Sequence, residues 1–299
     1  MLDVNQAQVQ FDANGLFMLN IALAIVMFGV ALGINIKDFK QLFKQPKPIL
    51  IGLLSQFIVL PLVTFFLVIL INPVPSIALG MFMVAACPGG NISNFMTHLS
   101  KGNTALSVSL TAFASALALF FTPFNFQLYG NFYQPTATIL KAVTLHPMDI
   151  FKIMILILGI PLLLGMLFNN YKPKLAVKLS TILKPISILI FISIVVIAFS
   201  KNLEVFIGFI HHVLAIGIGH NILALLLGFG IAKLFRLSFK NQKTLSIETG
   251  IQNSGLGLLL VFTFFNGLGG MAVLVAFWGI WHIVSGLILA FFWSKTNKN

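Results

Sequence analysis

The chain has 299 residues, 59% of them hydrophobic and only 8% charged, with a mean hydropathy of +1.03 and a formal charge of +12. Soluble domains carry about 25% charged residues, so this balance excludes an ordinary soluble domain. The basic excess does not point to nucleic acid, because Lys and Arg fall in short gaps between apolar runs, as the positive-inside rule expects of a membrane protein.

A hydrocarbon core of about 30 Å takes roughly 20 helical residues to cross. By that measure the apolar runs at 16–35, 47–71, 75–99, 103–128, 148–169, 178–200, 206–234, 243–265 and 270–294 are about nine transmembrane helices. They are too long and too continuously apolar for the alternating strands of a membrane barrel. The expected class is therefore an all-α integral membrane protein. Residues 1–15 contain no basic n-region, so the first run reads as a retained span and not a cleaved signal.

The connections set the orientation. Lys37, Lys40, Lys44 and Lys47 follow the first run, and Lys172, Lys174, Lys178 and Lys184 surround the start of the sixth. Lys233, Arg236, Lys240 and Lys243 join the seventh to the eighth, and Lys295 and Lys298 end the chain. With nine spans these clusters share one side, the cytoplasmic one. Asp3, Asp12, Asp149 and Glu204 fall opposite. The N-terminus is expected outside and the C-terminus inside a multi-pass cell (inner) membrane protein. The connection 129–147 is the longest and contains Pro135 and Pro147, so an external, interfacial piece is expected at Ala137 to Leu145. It separates a first half, 16–128, with four spans from a second half, 148–299, with five. An inverted repeat that has lost one helix from its first half accounts for that division.

Two spans carry polar breaks, predicted at 88–94 and 248–255. The first is Cys87-Pro88-Gly89-Gly90-Asn91-Ile92-Ser93-Asn94 and the second Glu248-Thr249-Gly250-Ile251-Gln252-Asn253-Ser254-Gly255. Matched interruptions in two halves of a chain mark the binding site of many secondary transporters. A break frees backbone groups that only protein or trapped water can satisfy in a bilayer. A single Pro kink would serve packing alone; two breaks beside polar side chains argue for a site.

Glu248 is the costliest residue in the chain. A carboxylate at bilayer depth faces a cavity, an ion or a partner. The plain alternative is a protonated acid hydrogen-bonded to a neighbouring helix. A hard cation such as Na⁺ takes oxygen donors, and the chain supplies them. Ser107 and Thr111 lie four apart on one helix face, Gln56 sits mid-span, and Gln252 lies in the second break. Taken singly, Ser107 and Thr111 read as packing residues. His220 and His282 read as hydrogen-bonded core residues. One cysteine, Cys87, excludes a disulfide framework and a multi-cysteine metal site. No Walker motif or nucleophile elbow occurs, so ATP-driven transport is not expected.

The first break, with Lys101-Gly102-Asn103-Thr104-Ala105-Leu106-Ser107-Val108-Ser109-Leu110-Thr111 after it, resembles the first crossover region of the bile acid:sodium symporter family. Ile247 to Leu256 resembles the second. Order and spacing extend the resemblance over nearly the whole chain. It implies a panel, from helices near 16–35, 148–169 and 178–200, and a core from the rest, with two broken helices crossing near the midplane. It implies two sodium ions: one at Ser93, Asn94, Ser107, Thr111 and Glu248, the other at Gln56, Glu248 and Gln252 with backbone carbonyls of Thr249 and Ile251. Asn91, Asn253 and His282 would border the substrate. Bacterial relatives often carry Thr where this chain has Asn91, and several carry Asn where it has Ile283, so the sodium sites carry over better than the substrate does. Longer bacterial members have ten spans; this chain is expected to lack the first.

The expected function is sodium-coupled symport of an organic anion, bile-acid-like or a small carboxylate, by alternating access. Helix N-termini at the breaks would favour the anion. No protein partner is implied. A proton-coupled exporter of metalloid oxyanions, with Cys87 binding the metalloid, is the alternative. An intramembrane enzyme using Glu248 as acid or base lacks a recognisable second group.

Overall fold

Away from water, a peptide backbone must satisfy its own hydrogen bonds, and helices do so within one segment. The structure, a computed structural model, describes residues 46–90, 92–142, 155–201 and 203–295, with isolated positions at 21, 24, 25, 28, 29, 31–33, 148 and 152. The described chain is almost entirely helical. Helix α1 is Pro46–Ile71, followed by α2 (Pro75–Ala86), α3 (Ile92–Leu99), α4 (Thr104–Phe132) and α5 (Gln134–Ala142). The second half contains α6 (Ile160–Tyr171), α7 (Pro173–Lys201), α8 (Leu203–Leu234), α9 (Phe239–Gly250), α10 (Ser254–Phe265) and α11 (Gly269–Lys295). Four of the described helical stretches are long and apolar enough to cross a membrane: Pro46–Ile71, Thr104–Phe132, Phe206–Leu234 and Gly269–Lys295.

Where the expected spans 75–99 and 243–265 carry polar breaks, the structure has pairs of shorter helices, α2 with α3 and α9 with α10. The second break is narrower than expected. Helix α9 runs on through Gly250, so only Ile251 to Asn253 leave the helical path, and Glu248 sits in the last turn of α9 and not in irregular backbone. Helix α4 extends to Phe132, and α5 occupies part of the expected interfacial piece. Asn266 (φ 48°) and Gly267 (φ 66°) form the tight turn between α10 and α11.

Proline shapes α1. Pro61 has no N–H to offer the carbonyl four residues earlier, and its ring crowds that position. The helix widens into a π turn at Ser55–Val59, and the freed Phe57 carbonyl accepts from Asn125 Nδ2 of α4 at 2.8 Å. Such turns recur at functional sites; here it coincides with Gln56. A second π turn, Ile155–Gly159, precedes Pro161.

Helix α2 is apolar on every side and buried along its length after Pro75, as a helix without a polar face must be. It packs between α4 and α11, and α8 lies along α9 and α11. The largest apolar cluster fills the space around α2, α10 and the first half of α11, with Leu79, Met83, Leu260, Leu274 and Trp278 among its members. Helix α6 packs elsewhere: Phe168 meets Phe28 edge-on at 6.5 Å, and Leu162 clusters with Ala31 and with Ala112 of α4.

Candidate ion and substrate site

The two breaks meet. Gly89 and Gln252 form an antiparallel bridge; Gly90 N donates to Ile251 O and Asn253 N to Pro88 O, both at 2.8 Å. Each break thus supplies the hydrogen bonds the other lost, which is what irregular backbone inside a membrane requires. The approach depends on glycine. A Cβ at Gly90 would sit 2.9 Å from Gln252 O, and one at Gly89 would sit 2.9 Å from Gln56 Nε2 and 3.0 Å from Glu248 Oε2.

Around this bridge the expected residues converge. Glu248 is fully buried. Its Oε1 accepts from Ser93 Oγ at 2.5 Å and from Ser107 Oγ, and its Oε2 accepts from Thr111 Oγ1 at 3.2 Å. Thr111 Oγ1 also lies 3.4 Å from Asn94 Oδ1. Helices α3 and α4 therefore each bring hydroxyl groups to one carboxylate carried by α9. Ser107 and Thr111 share a face of α4, as their spacing predicts.

The second expected set meets the backbone of α9 at Glu248 and Thr249. Gln56 Nε2 donates to Glu248 O at 3.0 Å, and Gln252 Nε2 donates to Thr249 O at 2.7 Å. The amide oxygens of Gln56 and Gln252 are both buried with no hydrogen-bond partner. Amide oxygens, carboxylates and backbone carbonyls such as those of Thr249 and Ile251 are hard-cation donors. Orphaned acceptors cost stability unless a ligand meets them, so these residues fit sodium. Among the described residues no three His, Cys, Asp or Glu side chains gather.

The expected substrate residues are less tied together. Asn91 lies outside the described residues. Asn253 is partly buried, and its Oδ1 accepts from Leu256 N at 3.0 Å, capping α10. His282 is buried on α11, with Nδ1 unpaired, and its neighbour Ile283 packs with Met96 and Ile251. His220 is held through Nε2 by Thr64 Oγ1 at 2.7 Å, as expected of a core histidine.

Several supporting residues lay outside the sequence reading. Ser55 Oγ meets Thr249 Oγ1 at 2.9 Å. Asn221 Nδ2 donates to Gly250 O at 2.8 Å, ending α9, and its Oδ1 accepts from Ser285 Oγ at 2.6 Å. Asn221 and Asn125 are amides inside apolar helices, the same signal that drew attention to Gln56.

Comparison with known proteins identifies the family. The model of the Sodium Bile acid symporter family matches residues 20–209. The chain belongs to that family. It is 35% identical over 280 residues to a protein of Bacillus subtilis (strain 168) named as the uncharacterized sodium-dependent transporter YocS, covering 94% of this chain and 84% of that one. It is 31% identical over 240 residues to the human ileal sodium/bile acid cotransporter, covering 80% of this chain and 67% of that protein. A probable sodium/metabolite cotransporter of Arabidopsis thaliana chloroplasts, BASS1, is 29% identical over 92% of this chain and 66% of its own length. The family match takes in Gln56, Ser93, Asn94, Ser107 and Thr111; Glu248 and Gln252 lie beyond it but within the length shared with YocS. A multi-pass membrane transporter is the class that family and fold give together.

Proposed function

We propose that this chain is a sodium-coupled symporter of an organic anion in the cell membrane, working by alternating access. The observation that carries the reading is the buried Glu248 carboxylate, ringed by Ser93, Ser107 and Thr111, beside two unpaired amide oxygens at the paired breaks. Two sodium ions are proposed: one at Glu248 with Ser93, Asn94, Ser107 and Thr111, one at Gln56 and Gln252 with Glu248 and the Thr249 and Ile251 carbonyls. Sodium would neutralise the carboxylate and complete the coordination of both amides. The names of the relatives, which include a bile acid cotransporter, support sodium coupling and an organic solute.

The substrate is proposed to bind beside the crossover, near Asn91, Asn253 and His282, where the N-termini of α3 and α10 favour a negative group. The panel would comprise the first run with α6 and α7, the core the remaining helices. The Phe28–Phe168 pair and the close fit of Gly165 against Ala31 support grouping the first run with α6. Nine spans, an inverted repeat and an external N-terminus complete the proposal. The ends of α1, α4 and α9 lie together, with Lys47 and Lys240 among them, which supports placing that end in the cytoplasm. Membrane potential, worth about 2.3 kcal/mol per charge per 100 mV, would add to the sodium gradient. Cys87 lies in the apolar cluster, an unpromising place for metalloid capture.

The deciding experiment is thermal unfolding of the detergent-solubilised protein in sodium against potassium at equal ionic strength. A ligand of the folded state must raise the midpoint by mass action. Wild type should gain in sodium and Glu248→Ala should not. Equal midpoints in the two salts for wild type would sink the sodium reading.

A further inference from the structure

Between the Glu248 carboxylate and the lysine-bearing end of the protein stands a single layer of side chains. On α4 and its cap, Asn103, Ser107 and Thr111 recur every fourth residue; on α9, Lys240, Thr244 and Glu248 do the same. Four residues rise about 6 Å along a helix, so each ladder climbs one turn per rung. The rungs are joined. Asn103 N donates to Thr244 Oγ1 at 2.8 Å, and Thr244 Oγ1 lies 3.3 Å from Asn103 O. One turn further in, Ser107 Oγ donates to Glu248 Oε1 and lies 3.3 Å from Thr97 Oγ1. Above the outer rung an open cleft of about 610 Å³ is lined by Lys47, Gly102, Asn103, Thr104, Lys240 and Asn241.

The loop from Ser100 to Asn103 closes this path, and α9 pins it at three points. Lys243 Nζ donates to Ser100 O at 2.9 Å, and it also reaches Trp293 O at 3.3 Å. Asn241 Oδ1 accepts from Asn103 Nδ2 at 2.9 Å, and Thr244 holds the Asn103 backbone. Gly102 sits in the layer itself, where a Cβ would meet Thr97 Cγ2 at 2.9 Å and Thr244 Oγ1 at 3.1 Å. Beyond the breaks, Met83, Val84, Leu256 and Leu260 belong to one buried apolar cluster, while α4 carries the buried polar residues Ser115, Thr122 and Asn125. Toward the lysine-bearing end, the oxygen-bearing side chains of α4 and α9 are joined by hydrogen bonds, and Asn103 lines the open cleft.

We propose that an ion held at Glu248 leaves to the cytoplasm through the Asn103–Thr244 rung, with the Ser100–Asn103 loop as the gate and Thr244 and Asn241 as its latch. The inference rests on the sodium reading of the Glu248 site.

The test is a removable staple. Asn103→Cys with Asn241→Cys, in a Cys87→Ser background, places two thiols where the native side chains hydrogen-bond. The readout is ²²Na⁺ counterflow in sodium-loaded proteoliposomes. Oxidation should slow counterflow about tenfold or more, and reduction should restore it. A formed disulfide that leaves the rate unchanged overturns the gate. If no disulfide forms, Thr244→Val decides: a severalfold rise in ²²Na⁺ flux supports the latch, and an unchanged flux overturns it. Sodium-dependent thermal stabilisation of the wild type is measured in parallel. Its absence removes the sodium reading itself, whereas its presence with indifferent gate variants removes only the gate.

Discussion

The unpaired oxygens of Gln56 and Gln252 give the sharpest quantitative test of the ion reading, through Gln56→Leu and Gln252→Leu. Each change removes an Nε2 donor that holds a backbone carbonyl, Glu248 O or Thr249 O, and an orphaned Oε1. In potassium the two effects oppose: a buried carbonyl left unpaired costs about 1–3 kcal/mol, while deleting an unsatisfied acceptor recovers a cost of the same kind. In sodium the variants lose an ion ligand as well. At a sodium concentration 100 times its Kd, wild type should gain about 2.7 kcal/mol. A twentyfold loss of affinity, about 1.8 kcal/mol, would cut that gain to about 1.1 kcal/mol. At about 2 °C per kcal/mol for a chain of this size, the sodium shift falls from about 5 °C to about 2 °C. Asn125→Leu is the matched control. It also removes a buried amide from a backbone carbonyl, Phe57 O, so it should lower the midpoint in both salts and leave the sodium shift intact. If both glutamine variants keep the wild-type sodium shift, the second ion site is wrong.

Three further outcomes follow from the same contacts. Glu248→Gln should abolish the sodium shift while preserving a cooperative transition, since an amide can still accept from Ser93 and Ser107; fluorescence-monitored melting in both salts checks this. Gly89→Ala should destabilise the protein by about 1–3 kcal/mol as its Cβ presses on Gln56 and Glu248, and raise the sodium concentration for half-maximal stabilisation at least tenfold in the same assay. Cys87→Ser should lower the midpoint equally in sodium and potassium, because it puts a hydroxyl into an apolar cluster; loss of sodium-dependent uptake in proteoliposomes would instead point to thiol chemistry.

How much of this was legible beforehand depended on the kind of signal. Long apolar runs read as helices because the bilayer admits little else, and Glu248, Gln56 and Gln252 stood out because polar groups at that depth need partners. The pairing of Ser107 with Thr111 came from helical periodicity. Which backbone atoms join Gly90 to Ile251 was not legible, since the antiparallel register between residues so far apart follows from packing and not local pattern. The π turn at Ser55–Val59 was hidden because a proline in an apolar run signals a kink, and only tertiary contact shows Asn125 filling the vacated carbonyl. The polar run from Glu248 places the break too early, since α9 runs on through Gly250. Gly250 tolerates the helix there because Asn221 satisfies its carbonyl, and Asn221 comes from a distant helix. Ser93 met Glu248 only through the resemblance; nothing in its own neighbourhood distinguishes it from a packing serine.

The arrangement of the breaks supports the proposed ion site. Interrupting two helices frees donors and acceptors, and the structure meets most of that demand internally. Gly90 N, Asn253 N, Pro88 O and Ile251 O pair with one another, Asn253 caps α10, and Asn221, steadied by Ser285, ends α9. Around Glu248 stand a carboxylate held by hydroxyl donors and, on Gln56 and Gln252, two buried amide oxygens with no donor. A fold that satisfied every group at this depth would gain nothing specific from a cation. In the proposed reading, a carboxylate and two unpaired amide oxygens beside the joint between the breaks make the joint itself responsive to the ion. Because Gly89 lies against both Gln56 and Glu248 while Asn253 follows directly on the bridge, occupancy of the ion site and the geometry of the proposed anion side share one short piece of backbone. Linkage then requires that each ligand alter the other's affinity by the same factor.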